Sequence, residues 1–357
     1  MLIAEVTIVV EQLRSDDYEV VIVGGGAAGL SGALMLARAR RSVVVIDAGS
    51  PRNAPATGVH GLLGLDGIAP DELLERGRAE VRRYGGQVVS GEVVHVDRAG
   101  DGFAVTLGDG WTIGARRMLV TTGLVDELPH LPGLREQWGK DVLHCPYCHG
   151  WEFRDRAIGV LASRQVAVHQ ALLFRQWSDD VTLFAHTVNP LEAEQAEQLA
   201  ARGVKVVTGE VASLEIADHR LVGVRLADGT VISRDAVAVA PRVAARAGFL
   251  KTLGLQAVEH SAGLGQYIPS DATGRTDVSG VWVAGNVTDL VAQVGGAAAA
   301  GANAAVHINT DLVTYDTHQA VQVHRDPFSA ESEARLCEQV MGDGSAARSG
   351  DSFGHAA

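Results

Sequence analysis

Two cysteines, each flanked by a histidine, form the part of the sequence best suited to chemistry. They lie in the run His144-Cys145-Pro146-Tyr147-Cys148-His149. Cysteines at this CxxC spacing can close a small, reducible disulfide, and one of the thiolates can have a depressed pKa. A histidine on either side can accept or donate a proton near neutral pH. The motif therefore predicts thiol–disulfide chemistry, with Cys145, Cys148, His149 and His144 as candidate catalytic residues.

The same six residues allow three other interpretations. A zinc site normally takes its second ligand pair from far along the chain, and the sequence has no second CxxC. The residues from Cys145 to His149 also match the attachment signature of c-type haem, which normally requires export. Two buried structural thiols would not explain a histidine on each side. We therefore favour redox activity with no metal, and we interpret Cys337 as a plain free thiol.

A glycine-rich turn near the start of the chain indicates a dinucleotide site. Gly24, Gly26 and Gly29 follow a β-branched strand pattern over 18–24 and precede a helix pattern. Such glycines allow a tight turn, a close approach of the backbone to a pyrophosphate, and close packing of helix on strand. Asp47 ends the next strand, where it would meet a ribose hydroxyl and disfavour a 2′-phosphate. The motif therefore predicts FAD or NAD.

The elements that would position these motifs alternate between strand and helix. The first glycine turn lies in a βαβ unit that ends near Asp47, and a second, βαβ-like unit runs from Ala157 to Phe184. An amphipathic helix is predicted over 70–84, and strands over 87–122. A last strand at Gly280–Gly285 precedes a helix that begins near Val294. The two βαβ units indicate two nucleotide-binding-type domains.

Composition excludes several classes of protein. The 357 residues include 30 basic and 43 acidic side chains, a net charge of −13, which argues against nucleic-acid binding. Three cysteines are too few for a disulfide-stapled secreted scaffold. No apolar run reaches the roughly 18 residues of a membrane span, and the first 17 residues lack a signal-peptide pattern. We expect a cytoplasmic protein.

Taken together, the motifs resemble those of the low-molecular-weight thioredoxin reductases over about residues 18–313. The matching segments are Gly24–Gly29, Asp47, Thr121–Gly123, Cys145–Gly150 and Gly280–Asn286. The resemblance implies an α/β homodimer with two Rossmann-like, three-layer dinucleotide-binding domains. In that arrangement an FAD domain is interrupted by a degenerate NAD(P)-type domain that carries the CxxC. The implied ranges are 1–17 for an N-terminal arm, 18–127 and 253–314 for the FAD domain, 128–252 for the inserted domain, and 315–357 for a polar, irregular tail.

The resemblance also implies FAD as the cofactor. The implied binding residues are Gly24, Gly26, Ala27, Ala28, Gly29, Asp47, Ala48, Thr122, Gly123, Gly285, Asn286, Gln293 and Val294. By the same resemblance, Cys148 is the sulfur nearest the flavin, and Cys145 is the one that exchanges with substrate.

Two departures from that family count against NADPH. The second βαβ unit should open with a GxGxxA turn, but the corresponding residues, Leu161–Ala167, contain no glycine. Paired arginines for the 2′-phosphate should follow the next strand, but Phe184–Asn189 contains no arginine. Arg164 is the remaining candidate for a phosphate contact.

These departures, with His149 where the reductases usually have Asp, resemble the FAD-dependent dithiol oxidases of the gliotoxin and holomycin type. That resemblance implies that a small dithiol is closed to a disulfide and that oxygen or another acceptor reoxidises the flavin. An NADPH-dependent thioredoxin or small-disulfide reductase and a non-catalytic flavin redox sensor remain alternatives. The partner is thus a small dithiol or disulfide, or a thioredoxin-like protein. We expect His60 near the flavin and His169 in the core or at an interface.

Overall fold

A computed structural model describes residues 17–188, 190–326 and 333 of the chain. The N-terminal arm up to residue 16, Asn189 and Cys337 lie outside the described residues. The strands are β1 Asp17–Val23, β2 Val43–Asp47, β3 Gln87–Ser90, β4 Val93–Ala99, β5 Gly102–Leu107, β6 Thr112–Val120, β7 Leu124–Glu127, β8 Val142–Leu143, β9 Ile158–Leu161, β10 Val181–Phe184, β11 Lys205–Val207, β12 Val211–Ala217, β13 Arg220–Leu226, β14 Val231–Ser233, β15 Ala236–Val239, β16 Arg242–Ala245, β17 Val258–Glu259, β18 Gln266–Tyr267 and β19 Val281–Val283. The α-helices are α1 Ala27–Arg38, α2 Pro70–Arg83, α3 Pro146–His149, α4 Val166–Phe174, α5 Ala193–Ala201 and α6 Val294–Arg325, and short 3₁₀ helices span Gly248–Leu253 and Gly285–Val287.

The first sheet has a parallel part and an antiparallel part. Within the described residues, β3, β2, β1, β6 and β19 lie side by side and all run parallel. The first residues of β6, Thr112 to Ala115, pair antiparallel with β5, and β5 pairs antiparallel with β4. Four successive residues of β1, from Val20 to Val23, are buried, as expected for a parallel strand covered on both faces.

The second sheet repeats this plan. In the described part of the chain, β11, β10, β9, β15 and β8 form a parallel sheet in that order. A separate antiparallel meander of β12, β13 and β14 packs over it through a shared apolar cluster that includes Leu134, Leu214 and Val237. The α/β class predicted from the two βαβ units is confirmed.

Local sequence accounts for the boundaries of the best-predicted helix. The pattern predicts a helix over 70–84, and α2 spans Pro70–Arg83. Proline stands at its first position, where a missing N–H costs nothing. Acidic side chains occupy its first turn and basic ones its last, which suits the helix dipole.

The chain passes twice between the two sheets, and the two crossings pair with each other. β7 and β16 form an antiparallel ribbon in which Leu124 lies opposite Ala245 and Glu127 opposite Arg242. The 3₁₀ helix that follows packs on the first sheet, where Leu250 joins the core and Thr252 donates a hydrogen bond to the carbonyl of Val96. The ribbon of β7 and β16 is therefore the connection between the two sheets in both directions of the chain.

The end of the described chain differs from the sequence prediction. An irregular tail was expected from about Tyr315, but α6 continues to Arg325. No proline or glycine occurs between Tyr315 and Arg325, and the first proline is Pro327, so nothing in that stretch breaks a helix. By contact density the described chain divides into a large unit that ends at Val306 and a smaller one that begins at His307. None of the described helices has the length and apolar character needed to cross a membrane.

Candidate active site

One cavity of about 1640 Å³ collects almost all the residues that the sequence singled out. Its volume exceeds the roughly 300–1,000 Å³ typical of a small-ligand pocket, which leaves room for a dinucleotide and a second molecule. The predicted residues that line it are Gly24, Gly26, Ala27, Ala28, Asp47, Ala48, Thr122, Gly123, His144, Cys145, Cys148, His149, Gly285, Asn286, Gln293 and Val294. Gly29 is the exception, because it is buried against the Gly24 carbonyl, where α1 approaches β1.

The glycines of the first turn have distinct physical roles. Gly24 has a φ of +106°, and a Cβ there would lie 2.6 Å from the carbonyl oxygen of Thr121. A Cβ on Gly29 would clash with the carbonyl oxygen of Gly24, so glycine is needed for α1 to approach β1. Gly26 is different, because a Cβ there would meet no atom within 4 Å and would project into open space. This empty cradle at the N-terminus of α1 suits a pyrophosphate, and the residues present therefore fit FAD.

Two polar side chains extend this half of the cavity. Asp47, at the end of β2, accepts hydrogen bonds from the Gly49 N–H at 3.1 Å and the Arg78 guanidinium at 3.2 Å. The side-chain amide nitrogen of Asn286 donates hydrogen bonds to the carbonyls of Asp289 and Ala292, both at 2.9 Å. Both side chains therefore keep an oxygen in a fixed position, as a ribose or ribityl hydroxyl would require.

The two cysteines of the redox pair, Cys145 and Cys148, lie just after β8, at the start of and within the short helix α3. Cys145 is the residue before the helix, and its carbonyl accepts from the N–H groups of Cys148 and His149 at 3.2 Å. Both cysteines are thiols in this structure, and both are half-buried. A hydrogen bond from the Cys148 thiol lowers the pKa of Cys145 to about 7, helped by the N–H groups of Cys148 and Tyr147. The same hydrogen bond and burial raise the pKa of Cys148.

His144 is held as a neutral ring beside Cys145. Its Nδ1 lies 3.2 Å from the Val239 carbonyl, which can only accept, so Nδ1 carries the proton and Nε2 has the lone pair. Burial lowers the pKa of His144, and the Arg52 charge lowers it further. Gln170 of α4 fixes the backbone at the same point by donating to the His144 carbonyl at 2.7 Å. His144 is partly buried and lines the cavity.

His149 lies on the other side of the pair, beside two charged or chargeable groups. Burial lowers its pKa, the Glu152 carboxylate opposes that shift, and His60 adds to it. His60 Nε2 is 3.4 Å from Glu152 Oε1, which joins the loop of the first half to the residues after the CxxC. The buried Nε2 of His149 has no hydrogen-bond partner among the residues that the structure describes. Burial therefore favours a neutral His149 ring, and one of its ring nitrogens is uncommitted.

An arginine that sequence reasoning missed lies near the redox pair. Arg52 makes a bidentate ion pair with Asp126 of β7, with N–O distances of 2.9 and 2.6 Å. Its charge lowers the pKa of Cys145 as well as that of His144. Because the two partners are 74 positions apart, no local pattern could have joined them.

In the second βαβ unit, the side chains at the place of the family's phosphate site have partners within the protein. Arg164, the remaining candidate for a phosphate, donates instead to the carbonyls of Pro241 at 3.0 Å, Leu264 at 3.4 Å and Gly263. His186 stands where the family has arginines, and its Nδ1 accepts the Val211 N–H at 3.0 Å. Burial lowers the pKa of His186, so it is no substitute for a cation. His169, expected in the core or at an interface, is exposed and lines the cavity.

Comparison with known proteins identifies the family of the chain. The family model described as pyridine nucleotide-disulphide oxidoreductase matches residues 18–304. The chain belongs to this family. Thioredoxin reductase tcpT from Claviceps purpurea (strain 20.1) is 32% identical over 84% of this chain and 95% of its own length. Thioredoxin reductase sirT from Leptosphaeria maculans is 29% identical with the same coverage.

Solved structures share the fold of this chain. The crystal structure of HlmI is 46% identical, with a TM-score of 0.83 over 88% of this chain and 99% of that one. A putative thioredoxin reductase TrxB from Bacillus anthracis is 28% identical, with a TM-score of 0.78 over 83% and 99%. The predicted resemblance and the two-domain dinucleotide-binding fold are thereby confirmed, and the chain is an oxidoreductase of a flavin-dependent, thioredoxin reductase-like family.

Proposed function

We propose that the protein oxidises a dithiol to a disulfide through Cys145 and Cys148, with bound FAD as the first electron acceptor. The observation that carries the oxidising direction is the state of the second dinucleotide site. There the Arg164 guanidinium donates to three carbonyls, and His186 accepts a backbone N–H. These contacts leave neither group free for a nicotinamide dinucleotide phosphate, which supports the thiol substrate as the source of electrons.

The proposed FAD site is built from the first sheet. Gly26 and the N-terminus of α1 would hold the pyrophosphate, Asp47 a ribose, and Asn286 with Gln293 the flavin end. FAD, when bound, supplies the two-electron acceptor that returns the cysteine pair to its disulfide, and oxygen or another acceptor takes the electrons onward.

The cysteines carry out two successive exchanges. In the first, a substrate thiolate attacks Sγ of Cys145 in the Cys145–Cys148 disulfide; a substrate–Cys145 bond forms, and Cys148 leaves as a thiolate. In the second, the other substrate thiolate attacks the substrate sulfur, and Cys145 leaves. The backbone N–H groups of Cys148 and Tyr147 also lower the pKa of Cys145, and a leaving thiol of low pKa departs faster, so these groups favour the second step.

Two neutral histidines remove the protons. Nε2 of His144 has a lone pair, and His144 lines the cavity together with Cys145, so it can take the proton of an incoming thiol. His149 lies beside Cys148 and is also neutral, because burial lowers its pKa. We propose that His149 removes the second thiol proton and stabilises the Cys148 thiolate once it is protonated itself.

An NADPH-dependent disulfide reductase is the second candidate. The named relatives tcpT and sirT, both described as thioredoxin reductases, favour it. The committed side chains of Arg164 and His186 count against it, as does the absence of glycine from the loop after β9.

Turnover under air distinguishes the two candidates. We expect the purified holoprotein to oxidise dithiothreitol and to produce hydrogen peroxide with no nicotinamide added. The matched assay contains NADPH and an oxidised disulfide, and it should show no consumption of NADPH above the background. Rapid NADPH consumption without dithiol-dependent peroxide would instead make the protein a reductase. A single reduction of the flavin that then stops would indicate a redox sensor.

Replacing His149 with alanine should slow dithiol oxidation mainly below pH 8. The lowered pKa of His149 keeps it a base at pH 7 and somewhat below, where a thiol with a pKa of about 8.5 is still protonated. We expect a loss of roughly 10²-fold near pH 6.5 that shrinks towards none near pH 9, where thiols ionise unaided. The measurement is kcat/KM against pH, with His95→Ala, a substitution on an exposed strand, as the control. A loss that is the same at every pH would remove His149 from the role of base.

A further inference from the structure

One face of α4 forms a wall of the cavity beside the redox pair. Val166, His169, Gln170 and Leu173 recur at the spacing of a single helix face, and all four line the cavity together with Cys145. Gln170 ties the helix to the CxxC segment through its hydrogen bond to the His144 carbonyl. The helix packs on the second sheet, whereas the proposed FAD residues lie on the first sheet, on another part of the cavity lining.

The exposed ring of Tyr147 extends this wall. Tyr147 lies between the two cysteines in sequence, is 60% exposed, and lines the same cavity. Its ring meets the edge of the Trp177 ring with 5.6 Å between centroids, and Trp177 in turn meets Phe174 at 6.4 Å. An exposed aromatic ring that is buttressed in this way offers apolar contact area at low entropic cost.

The charged groups nearest the wall are already committed. The guanidinium of Arg164, just before α4, donates to three carbonyls. Arg52 is paired with Asp126 through two hydrogen bonds. The guanidinium donors of Arg164 are taken up by carbonyls, and the charge of Arg52 is paired with a carboxylate, so neither side chain is free to make a bidentate contact with a carboxylate or a phosphate. The net charge of the chain, −13, also disfavours an anion. An anionic molecule would therefore gain little on this wall and would lose its hydration.

We propose that the α4 wall, with Tyr147, is the binding surface for the dithiol, and that it selects a small, uncharged and largely apolar molecule. The sulfurs reach Cys145 while the apolar body lies against Val166 and Leu173. The proposal rests on the dithiol oxidation proposed above and adds to it the substrate class and the residues that choose it. Because Cys145 is half-buried within the cavity, the same surface disfavours a folded protein as the dithiol donor.

A matched pair of dithiols tests this selection. Dihydrolipoamide and dihydrolipoate carry the same dithiol chain and differ only in an uncharged amide against a carboxylate. For the wild-type holoprotein we expect kcat/KM for dihydrolipoamide to exceed that for dihydrolipoate by about tenfold or more, chiefly through KM. Reduced thioredoxin, as a third donor, should be slower than dihydrolipoamide.

Two neighbouring leucines provide the variants. Leu173→Ala should raise KM for dihydrolipoamide roughly tenfold with little change in kcat, because the lost contacts are to the substrate body and not to the sulfurs. Leu173→Lys should move the preference between the two dithiols towards dihydrolipoate, since it places a cation on the wall. Leu172→Ala is the control: Leu172 packs against the core of the second sheet and does not line the cavity.

The outcomes separate the two proposals. Unchanged KM values in both Leu173 variants, or equal use of the two dithiols by the wild type, would overturn the α4 wall while leaving dithiol oxidation intact. Faster oxidation of thioredoxin than of dihydrolipoamide would also overturn it. No oxidation of any dithiol by the wild type would overturn the proposed function, and the wall with it.

Discussion

Replacing either Cys145 or Cys148 with serine is expected to reduce dithiol oxidation to the rate seen without enzyme. Without Cys145 there is no sulfur for the substrate to join, and without Cys148 there is no leaving thiolate to carry the electrons onward. Both variants should remain yellow, because the residues that would hold FAD lie on the first sheet. The measurements are the rate of peroxide formation and the visible flavin spectrum of the purified variants. A variant that keeps the full rate would contradict the CxxC mechanism.

A second comparison at Cys148 isolates the cause of the acidity of Cys145. The thiol hydrogen bond from Cys148 is the largest influence that lowers the pKa of Cys145 to about 7. A serine hydroxyl can still donate such a bond, whereas alanine cannot. The alkylation of Cys145 by iodoacetamide, followed against pH, should therefore have a higher midpoint in Cys148→Ala than in Cys148→Ser. Equal midpoints would mean that burial and the backbone N–H groups set the pKa instead.

Gly26→Val is expected to give a folded protein that has lost FAD. The backbone at Gly26 is extended, with φ −80° and ψ −172°, which valine adopts readily. Because a Cβ there meets nothing within 4 Å, the valine side chain enters only the space that the pyrophosphate would fill. The measurements are the ratio of flavin absorbance to protein and the circular dichroism spectrum. A yellow Gly26→Val protein with about one FAD per chain would contradict the cofactor assignment.

Two other glycines make the controls for this substitution. Gly296→Val adds the same side chain where no atom lies within 4 Å, but Gly296 does not line the cavity, so FAD should be retained. Gly29→Ala should instead prevent correct folding, because its Cβ would clash with the Gly24 carbonyl oxygen. The three variants together separate loss of the cofactor from loss of the fold.

Features that depend on neighbouring residues were predictable from the sequence. The strand, glycine turn and helix around Gly24 follow from a β-branched run, three spaced glycines and a helix-forming segment. The limits of α2 follow from Pro70 and the charges in its terminal turns. The CxxC needed no structure to be recognised, because two thiols at that spacing have few other uses beside two histidines.

Features that depend on distant residues were not predictable. Arg164 meets the carbonyls of Pro241 and Leu264, which are 77 and 100 positions away, so its loss as a phosphate ligand appears only in the fold. The Arg52–Asp126 pair is another example, since it spans 74 positions. The apolar neighbours of His169 on α4 predict a place in the core or at an interface, but only the packing of α4 shows that this face borders a cavity.

The most direct test of the account is an anaerobic titration of the holoprotein, followed by the visible absorbance of the flavin. One sample receives a dithiol such as dithiothreitol, and a second receives NADPH. We expect the dithiol to bleach the flavin, NADPH to leave it unchanged, and air to restore the colour with formation of peroxide. Rapid bleaching by NADPH would contradict the account, because it would show that the second dinucleotide site works despite the committed side chains of Arg164 and His186.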